Sequence, residues 1–116
     1  MRLFVVWVPK VRGHEDAVRN ATTFVPDPHG RHYWDRRGVI MKRYRDVLQL
    51  SEDAWDMYFV FAPEARWDGP RPPVPYYWMH QLGTAQKPRI KGPFLDARAF
   101  SDRVAVLRRE HKRPAA

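Results

Sequence analysis

Apolar and polar positions fall into short blocks separated by proline-rich connections. In 54–62 the side chains of Met57, Phe59 and Phe61 fall on one side of an extended chain, and Tyr58, Val60 and Ala62 on the other. Both sides are apolar, as in a strand with layers above and below it, and Pro63 ends the run too early for a helix. We read this stretch as the middle strand of a helix-covered sheet. Leu3–Val8 is a second two-faced apolar strand, closed by Pro9. Glu15–Phe24 places Ala17, Val18, Ala21 and Phe24 at helical spacing behind an acidic start, until Pro26 and Pro28 stop it.

Asp27–Pro28–His29–Gly30 has the composition of a tight turn, and Arg31–Trp34 that of a short edge strand. Asp35 is placed to cap a helix over Gly38–Leu50, where Ile40, Tyr44, Val47 and Leu48 form an apolar stripe. Residues 64–75 cannot be helical; Gly69–Pro75 predicts a stiff, polyproline-like path. Tyr76–Leu82 predicts a strand antiparallel to 54–62, with Pro75 at its start, where a missing donor costs least. After a turn-rich loop over Gly83–Pro93, Asp96 can cap a last helix with the stripe Ala97, Phe100, Val104 and Leu107. The order is β-α-β-α-β-β-α, an α/β chain with a mixed sheet of about four strands covered by helices. With 116 residues we expect a single domain over 1–113 and a disordered tail at 114–116.

That order of elements is the minimal one of a thioredoxin-like sandwich. The run from Asp27–Pro28 through Tyr33–Trp34–Asp35 to Trp55–Asp56–Met57–Tyr58 resembles redoxin-type proteins, and more narrowly uncharacterised bacterial thioredoxin-like proteins. The likeness covers most of residues 3–110. Its redox site does not carry over. The place of the attacking cysteine reads Pro9–Lys10–Val11–Arg12–Gly13–His14, and the place of the family's cis-proline reads Glu52–Asp53–Ala54. The resemblance therefore implies architecture without thiol–disulfide chemistry. Leu3–Val8 fits the first strand of that architecture; placed instead after the redox helix, it would leave a preceding strand and helix missing.

Cysteine is absent, which removes disulfides, thiolate nucleophiles and thiolate metal sites. The opening apolar run is too short for a signal peptide or a membrane span, so a cytoplasmic protein with no membrane contact is expected. The net charge of +8 is uneven: residues 1–45 carry +6, residues 46–86 carry −4 and residues 87–116 carry +6. Two basic clusters follow, one of Arg36, Arg37, Lys42, Arg43 and Arg45, the other running to Arg108 and Arg109 on the last helix. Either could meet nucleic acid or an acidic partner, although no RNA- or DNA-recognition motif is present.

His29 and His32 have an H-x-x-H spacing that could ligate a metal, yet two turn histidines without a third ligand are ordinarily solvated. Asp56 enters an apolar strand and needs a partner, for which His80 on the neighbouring strand is available. Such a pair could act as a general base, or simply be a structural hydrogen bond. No cofactor is implied. The reading that results is a redox-inactive binding or accessory module whose partner is another protein, docked through Gly69–Pro75 and Tyr76–Tyr77–Trp78. A nucleic-acid-associated protein is the alternative, and a small-molecule enzyme using Asp56 and His80 the third.

Overall fold

The computed structural model describes residues 3–8 and 30–111. The expected helix Glu15–Phe24, the turn before Gly30 and the tail 114–116 lie outside the described residues. Described here are a mixed α/β chain of four strands and two helices, divided into two compact units, Met1–Lys42 and Arg43–Ala116.

In the first unit, β1 (Leu3–Trp7) and β2 (Gly30–Trp34) pair in parallel, with Leu3 opposite Gly30 and Trp7 opposite Trp34. Strands paired in parallel cannot be joined by a two-residue hairpin. Phe4 and Tyr33 meet at a ring separation of 6.3 Å and are both exposed. After β2 the chain turns at Asp35, whose backbone carbonyl accepts from Gly38 N–H at 3.1 Å. Gly38 has φ +65°, open to glycine at no steric cost. Helix α1 (Val39–Leu48) starts immediately afterwards. Both carboxylate oxygens of Asp35 serve it: Oδ1 accepts from Val39 N–H at 3.1 Å and Oδ2 from Ile40 N–H at 2.7 Å. The first-turn donors of a helix have no partner within it, and the short acidic side chain supplies two.

In the second unit, β3 (Met57–Val60) runs antiparallel to β4 (Tyr77–His80), with Met57 opposite His80 and Phe59 opposite Trp78. The ladder continues at both ends through Tyr76 N–H to Val60 O, 2.7 Å, and Gln81 N–H to Asp56 O, 3.0 Å. The other edge of β4 is also used: His80 N–H donates to Pro93 O and Leu95 N–H to His80 O. β3 thus has β4 as its one strand partner among the described residues, whereas the sequence reading made 54–62 a middle strand. The expected sheet of about four strands is found, among the described residues, as two two-stranded sheets. The physical reason for the misplacement is plain. Apolar residues on both faces of a strand report what lies above and below it, and carry no information about its edges.

Those two faces are covered from opposite sides. On the face shared by Phe59 and Trp78, Tyr44 of α1 lies 4.5 Å from Phe59 and 6.2 Å from Phe61, ring to ring. On the face shared by Tyr58, Val60 and Tyr77, Phe100 of α2 (Ala97–Glu110) lies within 6.4 Å of both tyrosine rings. Asp96 caps α2 by accepting Ala99 N–H at 3.0 Å. Buried apolar residues are Met41, Tyr44, Ala54, Met79, Leu82, Ile90 and Leu107.

Candidate interaction surface

Asp56 and His80, the pair proposed as acid–base candidates, sit close in the ladder but are not joined. Asp56 precedes β3 with φ +54°, a left-handed conformation that aspartate tolerates better than most residues, and its side chain is exposed. Partial desolvation lifts its carboxyl above the usual carboxylate range, while a hydrogen bond from Tyr58 and the His80 imidazole pull the other way. His80 is fully buried. Its Nδ1 accepts from Leu82 N–H at 3.0 Å, which places the ring proton on Nε2, facing Gly92 O at 3.3 Å. Both nitrogens are thus engaged by backbone, and Phe94 closes edge-on over the ring at 5.5 Å. This histidine holds the 92–95 segment against β4, and in this arrangement it has no lone pair free for a substrate proton.

His29 lies outside the described residues; His32 is placed in β2, opposite Val5. No group of three or more His, Cys, Asp or Glu that could hold a metal occurs among the described residues. Of the first basic cluster, Arg36 and Arg37 are exposed in the turn before α1, and Lys42 and Arg43 are exposed on the helix. Arg45 is used internally, 3.4 Å from both Asp53 Oδ1 and Ser51 O. Arg108 and Arg109 are exposed in the last turn of α2, where cations complement the helix dipole. The neighbouring Arg103 is placed differently, 5.0 Å over the Tyr77 ring.

The connection 64–75 departs most from expectation. It does not run as one stiff path: Asp68 and Arg71 bridge across a turn at Gly69 (φ +67°) and Pro70. Trp67 Nε1–H donates to Gly69 O at 2.9 Å, and the Trp67 ring stands edge-on to Tyr44 at 6.3 Å. Downstream, Pro72 and Pro75 are buried, and Tyr44 O–H donates to Pro73 O at 3.0 Å. Val74, between the anchors, is 71% exposed; Trp67 is 46% and Tyr76 36% exposed. Tyr76 is fixed through its hydroxyl, which donates to Glu110 at 3.1 Å and is thereby held above its ordinary pKa. With Pro72 and Pro75 facing inward, the segment cannot serve as an open proline-rich ligand. The large apolar side chains it exposes are Trp67, Val74 and Tyr76, alongside the exposed charges of Glu64, Arg66, Asp68 and Arg71.

Val74 lies inside the Gly69–Pro75 stretch that the sequence singles out, but it stands alone among prolines with no periodicity to mark it, and Trp67 lies just upstream of that stretch. The nearest available signal was an isolated apolar residue inside a proline cluster. No helix among the described residues is long and apolar enough to cross a membrane. No protein-family model matches the chain, and no curated protein or solved structure matches it either.

Proposed function

We propose that the chain is a redox-inactive, thioredoxin-like binding module that docks another protein through the 64–76 connection. The observation that carries this reading is the alternation of anchors and exposed apolar side chains: Pro72 and Pro75 buried, Val74 between them at 71% exposure, Trp67 beside them on Tyr44. A loop held in this way loses little conformational freedom on binding, which is the main cost that docking otherwise meets. Tryptophan and tyrosine are the residues most often found to dominate binding energy at protein interfaces. Absence of cysteine agrees with a role outside thiol chemistry.

Deleting 64–75 would remove Pro72 and Pro75 from the folded unit, so point substitutions make the cleaner test. Val74→Asp and Trp67→Ala, each with wild type as reference, are to be used in crosslinked pull-downs from cells of the source organism. Val74→Asp should leave stability within about 0.5 kcal/mol, since the side chain is a surface one. A protein recovered with wild type and lost with both variants supports the reading. An identical set from all three proteins overturns it.

A further inference from the structure

We infer that the protein docked by the 64–76 connection is a second copy of this chain, held in a two-fold contact. The inference rests on the docking reading above and names its occupant. A two-fold contact sets the same patch on both sides, so each feature of one copy must meet its complement in the other. Residues 64–76 carry Glu64, Arg66, Asp68 and Arg71, two charges of each sign, on a chain of net charge +8. Copies of so basic a chain repel one another, and a patch of balanced charge is where they can meet without facing like charges.

Two of the four charges are used within the chain. Glu64 lies 3.6 Å from His111 Nε2, and Arg66 donates to Pro63 O and, at 2.9 Å, to Ala65 O. Asp68 and Arg71 are left over. They stand opposite each other across the turn as a bridged antiparallel pair, and side chains directly opposite in such a pair share a face. Both are exposed, yet among the described residues neither forms an ion pair or a side-chain hydrogen bond. A two-fold axis over the turn brings Asp68 of each copy to Arg71 of the other, making two ion pairs that neither copy makes alone. The turn is open to that approach, since a Cβ built on Gly69 would meet nothing within 4 Å. Trp67 stands on Tyr44, whose hydroxyl also holds Pro73 next to Val74, so the exposed Trp67 and Val74 belong to one patch. The same axis lays the large ring of one copy against the small side chain of the other, twice. A contact of one loop per copy lies at the small end of specific interfaces, so the dimer forms in a concentration-dependent way.

The test is sedimentation equilibrium of the purified full chain from about 1 μM to about 1 mM, for wild type, Val74→Asp, Asp68→Arg, Arg71→Asp and an equal mixture of the last two. The three side chains are exposed, so each variant should melt as wild type does. Wild type should pass from monomer to dimer as concentration rises, and Val74→Asp should stay monomeric. Each charge reversal sets like charges against each other twice and should weaken association about tenfold. In the mixture both ion pairs re-form between unlike copies, so association should return close to the wild-type level. A wild type that stays monomeric at about 1 mM, reversals that dimerise as wild type does, a mixture no tighter than its components, or a dimer that Val74→Asp leaves intact would each overturn the inference. A monomeric wild type whose pull-down partner is still lost with Val74→Asp and Trp67→Ala overturns it while leaving the docking reading in place.

Discussion

Gly92 shows how one missing side chain can position a whole segment. Its φ of +109° is a conformation that L side chains rarely adopt, and a Cβ there would meet Trp78 Cη2 at 2.3 Å. Its carbonyl also faces His80 Nε2. Gly92→Ala therefore combines backbone strain with overpacking against an indole that has two rings to move, and should cost about 2–4 kcal/mol. Gly69→Ala is the internal control. Its φ is +67°, but nothing lies within 4 Å of the added methyl, so only the backbone penalty of about 1–2 kcal/mol applies. Chemical denaturation of both variants checks the contrast, and equal losses would show that the Trp78 contact is unimportant. Of this arrangement the sequence showed only a Gly–Pro turn signal. The indole that fills the space comes from 14 positions upstream, and local pattern cannot report such a contact.

The caps operate at the scale of elements, and there the sequence was most informative. Asp35 and Asp96 were both readable because a cap depends on a few neighbouring residues and on no distant partner. The structure adds a distinction that the sequence lacks. Asp35 uses both oxygens, on Val39 and Ile40, whereas Asp96 uses Oδ1 alone, on Ala99. Asparagine keeps one acceptor and so can replace Asp96 but not Asp35. Asp96→Asn should sit close to wild type and Asp96→Ala about 1 kcal/mol below it. At position 35, asparagine should already lose about 0.5–1 kcal/mol, because its amide nitrogen cannot accept the second N–H. Thermal melts of the three variants test this; an Asp35→Asn protein as stable as wild type would show that one oxygen suffices. The strands were less legible. Their existence followed from apolar runs, but Asp56, expected to enter the apolar strand, instead precedes β3, which starts at Met57, and has a positive φ and an exposed side chain. The Asp56–His80 pairing failed to form for a related reason: register places Met57, not Asp56, opposite His80, and register is fixed by long-range ladder bonds.

Across the Arg43–Ala116 unit, Tyr44 links the most parts. It packs from α1 onto Phe59 and Phe61, meets Trp67 edge-on, and donates its hydroxyl to Pro73 O, so one side chain ties a helix, a strand and the proposed docking loop. Burial pushes its phenol up to about 12, from the ordinary value of 10.0. A group whose pKa is raised on folding contributes in full below the unfolded value and loses that contribution as pH rises towards the folded one. Between about pH 10 and 12 the unfolded chain ionises Tyr44 while the folded chain keeps the proton, so stability falls through that window by an amount of order 2–3 kcal/mol. Tyr44→Phe removes this limb. It also leaves Pro73 O without its donor, costing about 1 kcal/mol at neutral pH. The two denaturation profiles should thus start apart, wild type the more stable, and converge or cross above pH 10. Tyr58 and Tyr76, also raised, ionise alike in both proteins and cancel in the difference. Profiles that stay parallel to pH 12 would mean that the Tyr44 hydroxyl is solvated and the loop is not anchored through it. That result would also remove the preorganised loop on which the docking proposal rests.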